Sequence, residues 1–268
     1  MARQKKLPLI AKTADKLDLY QRSVQTEGNI RFLANRFRLL AGRPLRLMRE
    51  DFCGTALNCC EFVKLHPQNR AIGIDLDGSA LRWCLQNNYP KLKESQWDRI
   101  TLIQANVLNA TTPKVDLIVV LNYSYGIFKK RADLRNYLHQ ARKSLRKGGA
   151  IMLDVATGKD LLMGFTSEGK FVDFICISDW TALDSINHDY EIHISYRFKD
   201  GSQLRNAFNY RFRLWSLAEL KDLLLEVGFQ RVQVIMGFVD KKDPIYRERR
   251  HARFNLFRSA YALIVGQT

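Results

Sequence analysis

Residues 45–56 read LRLMREDFCGTA, and this stretch is the strongest indication of the fold in the sequence. An apolar segment, Leu45–Glu50, leads into a short loop at 51–54, a helical segment at 55–65 and a second compact apolar segment, Ala71–Asp75. A strand, a loop, a helix and a strand in this order predict a βαβ unit with two parallel strands. Ligands of such sheets bind beyond the carboxyl ends of the strands, which is where the loop lies.

The same alternation of strands and helices continues along the chain. Further strands are predicted at Ile100–Ala105, Val115–Leu121, Ala150–Val155, Arg231–Met236 and Tyr261–Val265. Helices are predicted at 13–26, 27–42, 78–88, 130–147 (ended by Gly148 and Gly149) and from Ser216 to Gly228. This pattern predicts the α/β class, as a Rossmann-like, doubly wound and mostly parallel sheet covered by helices on both faces.

Residues 186–213 depart from this pattern because apolar and polar side chains alternate strictly there. The segment from Tyr190 to Phe198 places aromatic and β-branched residues on one face, and Lys199–Gly201 is a turn signal. A period of two predicts strands, so we expect an antiparallel hairpin inserted into the α/β fold.

Composition limits the kinds of partner and compartment. The hydrophobic share of 46% and the charged share of 26% are typical of a globular protein. The five cysteines form no CxxC pair and no Cys/His cluster with metal-ligand spacing, which predicts reduced thiols, no metal site and a cytoplasmic location. No apolar stretch is long enough to cross a bilayer, so we expect no membrane partner. The net charge of +16 indicates either a polyanion partner such as RNA or a solvated basic surface.

The loop after the first strand has the features of a ligand site. Gly54 allows backbone N–H groups to approach a ligand, and the start of the next helix offers further N–H groups. Asp75 ends the second strand, at the spacing of an acid that accepts the ribose hydroxyls of a nucleoside. A tight turn followed by a helix-capping aspartate is the alternative explanation of the same residues.

The loop lacks the glycines of a dinucleotide-binding GxGxxG motif. It resembles instead the first motif of class I S-adenosylmethionine-dependent methyltransferases, acid-x-Gly-x-Gly-x-Gly. Glu50 matches the acid and Gly54 the second glycine, whereas Phe52 and Ala56 replace the first and the third. The string EDFCGTA is identified with a bacterial subgroup of that family. LRKGGAIMLD at 145–154, WSLAELKDLLLEVGF at 215–229 and YALIVG at 261–266 resemble later family segments, the last of them the family's reversed final strand.

The resemblance implies that S-adenosylmethionine is the cofactor and assigns roles to single residues. Glu50 and the backbone of 52–56 would face its methionine part, Asp75 its ribose and Leu76 its adenine. Asn106 and Val107 would lie at the adenine edge, and Asn122 near the transferred methyl. The residues implied at the cofactor are therefore Glu50, Phe52, Cys53, Gly54, Thr55, Ala56, Asp75, Leu76, Asn106, Val107 and Asn122. Because phenylalanine is strained at positive φ, we expect the loop to avoid that conformation at Phe52.

The resemblance also implies a domain organisation and an activity. Residues 1–44 would form a helical cap, and 45–268 a methyltransferase domain with an antiparallel lid inserted at about 160–213. The sulfonium donor is already activated, so the protein needs mainly to align the acceptor, a role we assign to Tyr123 and Tyr125. We predict in-line transfer to a small molecule. An RNA or protein methyltransferase, favoured by the charge, and a non-catalytic S-adenosylmethionine-binding protein are the alternatives.

Overall fold

The computed structural model contains two β-sheets, and it describes residues 9–24, 29–158, 160–184, 186–237 and 260–268. In these residues the helices are α1 (Ile10–Thr13), α2 (Lys16–Ser23), α3 (Asn29–Ala41), α4 (Leu57–Lys64), α5 (Gly78–Asn87), α6 (Glu94–Trp97), α7 (Arg131–Lys143), α8 (Asp160–Met163) and α9 (Leu217–Glu226). The strands are β1 (Leu47–Asp51), β2 (Arg70–Asp75), β3 (Ile100–Gln104), β4 (Val115–Val120), β5 (Leu145–Thr157), β6 (Phe165–Lys170), β7 (Phe174–Asp184), β8 (Asp189–Phe198), β9 (Gln203–Arg213), β10 (Arg231–Gly237) and β11 (Ala260–Gln267).

The larger sheet has seven strands in the order β10-β11-β5-β4-β1-β2-β3. Strands β1 to β5 pair in parallel, whereas β11 runs antiparallel to both β5 and β10. The predicted Rossmann-like sheet with a reversed last strand is therefore confirmed. The chain builds outward from β1 to β3, then returns to place β4 on the other side of β1, which makes the β1–β4 boundary the topological switch point where such sheets bind ligands.

Helices cover the two faces of this sheet and form two apolar cores. On one face, α3 and α4 contribute Leu33, Phe37 and Phe62 to a core that includes Leu117 of β4. On the other face, α7 and α9 pack against the alternate strand residues, such as Ile118. All six residues of β4 are buried, as expected for a parallel strand covered on both faces. No described helix has the length and apolar character needed to span a membrane.

The smaller sheet is antiparallel, in the order β6-β7-β8-β9. The hairpin predicted within 186–213 is confirmed as β8 and β9, and the alternate residues of β8 from Tyr190 to Phe198 are buried. Strands β6 and β7 lie within the predicted insertion at about 160–213 but were not predicted individually. Strand β6 is mostly exposed, and its sequence, FTSEGK, carries no apolar alternation. Leu19 of α2 packs into the core of this sheet.

The predicted helix over 130–147 is too long at its carboxyl end. Helix α7 ends at Lys143, and β5 begins at Leu145, so Gly148 and Gly149 lie inside a strand. The pairing of β5 with β4 shifts register between Leu145 and Ala150, and Gly148 has φ +70°. The two glycines therefore form a bulge in the strand, a position where positive φ favours glycine.

A fully buried ion pair lies on β1, directly before the ligand-site loop. The Arg49 guanidinium donates from Nε and Nη2 to the two carboxylate oxygens of Asp51, at 2.6 and 3.0 Å. Tyr137 of α7 donates its hydroxyl to Asp51 Oδ2 at 2.7 Å. Both charges are shielded from water, so each depends on the other for compensation. The cluster fixes the carboxyl end of β1 against α7.

Replacing Arg49 tests this buried pair. Arg49→Met leaves the Asp51 carboxylate buried without its cation, and we expect a loss of about 3–5 kcal/mol in the free energy of unfolding. Urea denaturation followed by circular dichroism measures it. The control, Arg135→Met, breaks the exposed Arg135–Glu226 pair and should leave the midpoint close to that of the wild type. Equal midpoints for the two variants would contradict the account.

Candidate functional site

The carboxyl ends of β1, β2, β4 and β5 meet at one edge of the larger sheet, which we call the carboxyl edge. The backbone joins the ends of β1 and β2 directly, since the Cys53 amide donates to the Ile74 carbonyl at 3.0 Å. Asp75 ends β2, Asn122 follows β4, and Asp154 lies on β5 level with the end of β4. The edge therefore brings together polar residues that are far apart in the sequence.

The loop after β1 adopts a left-handed backbone at alternate residues. Phe52, Gly54 and Ala56 have φ of +60°, +53° and +49°. Our expectation that Phe52 avoids positive φ is therefore wrong. A left-handed conformation costs about 1–2 kcal/mol at each non-glycine residue. The Phe52 ring, 6.1 Å from both the Phe128 and Tyr137 rings, packs in the core below the loop and offsets part of this cost.

Asp75 holds this loop and keeps capacity for a ligand. Its Oδ2 accepts the Gly54 amide at 2.6 Å, and its Oδ1 accepts the Asp77 amide at 2.8 Å. A carboxylate accepts about four hydrogen bonds, so two lone-pair positions remain for the hydroxyls of a ribose. The neighbouring Leu76 is 62% exposed, which places an apolar surface beside the carboxylate. A carboxylate next to an apolar surface fits a nucleoside.

The predicted adenine-edge residues follow β3. Asn106 is exposed, and its Oδ1 accepts a hydrogen bond from the Leu108 amide at 3.0 Å. One lone pair of that oxygen and the side-chain N–H groups are left to bond a ligand. The Val107 side chain is buried in the core, so only its backbone is placed to meet a ligand.

Glu50 is buried (2% exposed) and bonded to the protein. Its Oε1 accepts the Asn58 side-chain amide at 2.7 Å, and its Oε2 accepts the Cys59 thiol at 3.4 Å. Burial raises the pKa of Glu50 to about 7, although the bonds from Asn58 and Cys59 oppose that rise. Both carboxylate oxygens contact the first turn of α4, and contact with a cofactor stays a prediction for this residue.

A buried polar cluster joins α2 to the loop, and sequence reasoning did not find it. The Thr55 hydroxyl donates to Gln21 Oε1 at 2.7 Å. The Asn88 side-chain amide donates to the same Gln21 oxygen at 2.8 Å and to the Thr55 carbonyl at 2.9 Å. The three residues lie in separate parts of the chain, so no local pattern marks them. Cys53, also predicted at the cofactor, buries its thiol in the core, so its backbone alone is available there.

Asp154 organises the turn after β4, and it was not predicted as a site residue. Asn122 and Tyr123 both have φ of +57°, and their amides donate to the two Asp154 carboxylate oxygens at 2.7 and 2.9 Å. Asp154 is only 8% exposed. Burial raises the pKa of Asp154 to about 7, against the lowering effect of those two amides. Asn122 therefore lies at the carboxyl edge in a backbone conformation that Asp154 stabilises, and its place near the transferred methyl stays a prediction.

The two predicted catalytic tyrosines differ in environment. The Tyr123 ring stacks on Tyr261 at 6.1 Å and meets the edge of Trp180 at 5.8 Å, at the carboxyl edge. Tyr125 is 3% exposed and packs in the core, where burial raises its pKa well above the usual range. The geometry therefore favours Tyr123 over Tyr125 as a residue that meets an acceptor, and the role of both stays a prediction.

The smaller sheet and α2 approach the carboxyl edge from outside the larger sheet. The Tyr20 ring of α2 lies 4.7 Å from the Phe208 ring of β9. Burial, together with the hydrogen-bonded Tyr210 hydroxyl, raises the pKa of Tyr20 well above its usual range. The contact of Trp180 with Tyr123 joins β7 to the turn after β4. Among the described residues, no group of three or more histidines, cysteines and carboxylates is arranged to hold a metal ion.

The chain is similar to known proteins in its three-dimensional structure but not in its sequence. No protein-family model and no curated protein sequence matches the chain. In structure it is similar to an S-adenosylmethionine-dependent methyltransferase from Clostridium acetobutylicum, with a TM-score of 0.65 and 15% identity over 92% of this chain and 96% of that one. It is also similar to an amino pentose methyltransferase from Micromonospora echinaspora, solved with S-adenosylmethionine bound (TM-score 0.63, 10% identity, 99% and 100% covered).

A third similar structure is a sugar N-methyltransferase from a Streptoalloteichus species, with a TM-score of 0.61 and 14% identity over 100% of this chain and 98% of that one. The coverage is nearly complete in both directions for these proteins. At such low identity the likeness establishes the shared fold alone, so an activity has to be argued from the residues of the site.

The buried Glu50 predicts a dependence of stability on pH. Its folded-state pKa of about 7 lies above the ordinary value of 4.5, so the folded protein holds this proton more tightly than the unfolded chain. The contribution of Glu50 to the free energy of unfolding is therefore largest at low pH, and it is lost as the pH rises through 7. Between about pH 5 and about pH 8, the wild type should lose about 2–3 kcal/mol relative to Glu50→Gln.

Urea denaturation across this pH range measures the difference between the two proteins. Glu61→Gln, which changes an α4 surface carboxylate paired with Lys64, is the control and should keep the wild-type slope. A constant difference between the wild type and Glu50→Gln at every pH would show that the buried carboxyl does not titrate in this range.

Proposed function

We propose that this chain is an S-adenosylmethionine-dependent methyltransferase that transfers the methyl group in line to a small molecule. One observation carries the proposal. The first motif retains positive φ at 52, 54 and 56 although only residue 54 is glycine, and Asp75 holds its central amide. A strained backbone at the carboxyl edge is expected where it serves a ligand site. The shared fold of solved methyltransferases supports the same conclusion.

The residues of the carboxyl edge fit this cofactor. When bound, S-adenosylmethionine supplies an activated methyl group on a sulfonium. Asp75 would accept the ribose hydroxyls, Leu76 would pack on the adenine, and the turn at Asn122 would face the methionine end. The full set that we propose for the cofactor is Glu50, Phe52, Cys53, Gly54, Thr55, Ala56, Asp75, Leu76, Asn106, Val107 and Asn122.

The rest of the chain would orient the acceptor and exclude water. We propose that residues 1–44 act as a cap and that the insertion at about 160–213 acts as a lid over the 45–268 domain. The contacts of Tyr20 with Phe208 and of Trp180 with Tyr123 support these roles. Tyr123, with Tyr125 as the second candidate, would position the acceptor by hydrogen bonding or ring contact. In-line transfer from a sulfonium needs no covalent nucleophile from the protein.

A small-molecule acceptor is supported by the charges at the carboxyl edge. Four carboxyl groups lie there, those of Glu50, Asp75, Asp77 and Asp154, with the Lys16 ammonium near Asp77. Similar structures include enzymes named for amino pentose and sugar substrates. The net charge of +16 favours RNA as a second candidate acceptor. The five free cysteines support our proposal of a reducing, cytoplasmic location.

Calorimetry with S-adenosylhomocysteine tests the proposal and the role of Asp75 together. The wild type should bind the ligand at one site per chain. Asp75→Ala removes two hydrogen bonds to the ribose, and we expect the affinity to fall by about 1–3 kcal/mol. Asp77→Ala is the control, because Asp77 caps α5 through the Ser79 and Ala80 amides and should affect stability more than affinity.

Three outcomes would count against parts of this account. Absence of binding to the folded wild type would exclude every S-adenosylmethionine-dependent function. Unchanged affinity in a folded Asp75→Ala protein would show that another acid binds the ribose. Binding without methyl transfer to any pool of small molecules or RNA would favour a non-catalytic binding protein.

A further inference from the structure

Three aromatic rings and one carboxylate lie together at the ends of β4 and β5. We call Tyr123, Trp180, Tyr261 and Asp154 the aromatic–acidic subsite. Tyr123 is central: its ring stacks on Tyr261 and meets the edge of Trp180, while its amide is bonded to Asp154. The three rings are each half-buried, so part of each remains accessible. The rings come from the turn after β4, from β7 and from β11.

The subsite holds a carboxyl group that is negative once ionised, and no described cation compensates that charge. Asp154 accepts backbone amides and forms no ion pair within the described residues. Its charge adds to the effect of burial in raising the pKa of three surrounding tyrosines, Tyr20, Tyr125 and Tyr261. A buried carboxylate that is bonded to backbone amides and has no described ion-pair partner favours a cation nearby, because the low dielectric of the interior strengthens that attraction.

The rings favour the same kind of ligand. The face of a tyrosine or tryptophan ring is electron-rich and attracts a cation within about 6 Å. A phosphate or carboxylate would meet repulsion from Asp154, whereas an ammonium group would meet attraction from both the carboxylate and the rings. Histidine is the usual base for activating a hydroxyl, and one candidate, His193, is bonded to Asn209 on the outer face of the smaller sheet.

We propose that the methyl acceptor is the amine nitrogen of a small molecule, and that the aromatic–acidic subsite binds this nitrogen. The inference rests on the methyltransferase function proposed above. The substrate would bind as an ammonium and release one proton to Asp154 or to solvent. The nitrogen lone pair then forms a bond with the methyl carbon while the carbon–sulfur bond breaks. The electron pair of the broken carbon–sulfur bond stays on sulfur. The products are a neutral thioether and an N-methylated ammonium.

A pair of isosteric probes tests the preference for a cation. Choline and 3,3-dimethylbutan-1-ol have nearly the same shape, but choline has a positive nitrogen where the alcohol has a neutral carbon. Each is titrated by calorimetry into the full-length protein saturated with S-adenosylhomocysteine. We expect choline to bind at least about tenfold more tightly than the alcohol, through contacts with the rings and the carboxylate.

Two variants assign the preference to the subsite. Trp180→Leu and Asp154→Asn should each reduce the ratio of the two affinities toward one. Trp180→Leu should leave the affinity for S-adenosylhomocysteine unchanged, which shows that the protein is folded. Trp97→Leu is the control, since Trp97 stacks on Tyr89 beside α6, and it should keep the wild-type ratio.

The outcomes separate this inference from the function on which it rests. If S-adenosylhomocysteine binds but choline and the alcohol bind equally, or neither binds, the amine proposal is overturned and the cofactor site stands. If Trp180→Leu keeps the wild-type ratio, the preference lies elsewhere and the subsite assignment is overturned. If S-adenosylhomocysteine does not bind the wild type, the methyltransferase function fails first.

Discussion

The hydrogen bond from the Gly54 amide to the Asp75 carboxylate, 2.6 Å long, joins the two strands on which the site depends. It connects the end of β1 to the end of β2 and fixes a loop whose backbone is left-handed at 52, 54 and 56. Left-handed alanine and phenylalanine are unfavourable alone, so the surrounding contacts must hold them. Below the loop the Arg49–Asp51 pair provides that support, and above it Gln21 bonds to Thr55.

This arrangement couples helix α2 to the loop after β1. Gln21 and Tyr20 are neighbours on α2, and they contact different parts of the protein. Gln21 bonds to the loop through Thr55, whereas Tyr20 packs on β9 of the smaller sheet. A ligand that orders the loop therefore acts on the same helix that contacts the smaller sheet. Helix α2 thus connects the loop after β1 physically to the smaller sheet.

The parts of the fold with strong local patterns were predictable from sequence. The buried strands around Asp75 and the alternating residues of β8 follow directly from hydrophobic periodicity. The exposed strand β6 has no such pattern, and the bulge at Gly148 was mistaken for the end of a helix. At Phe52, the packing of the ring against the core overcomes the local preference against positive φ. This contact joins residues that are distant in the sequence, so no local pattern predicts it.

The parts of the site that were missed depend on contacts between distant residues. Gln21, Thr55 and Asn88 meet only in the folded chain, and Asp154 becomes notable only when its carboxylate is found buried against the turn at Asn122. The overall charge was a poor guide to the site, since a protein of net charge +16 places carboxylates at its carboxyl edge. Composition describes the whole surface, whereas recognition depends on the few groups beside the ligand.

A crystal structure of the protein with S-adenosylhomocysteine tests the central claim most directly. We expect the ribose on Asp75, the adenine against Leu76, and the sulfur near Asn122, facing the space beside Tyr123. The loop should keep positive φ at Phe52 and Ala56. A ligand bound away from the carboxyl edge, or a loop that relaxes to negative φ at these residues, would contradict the claim that this strained loop is built to hold the cofactor.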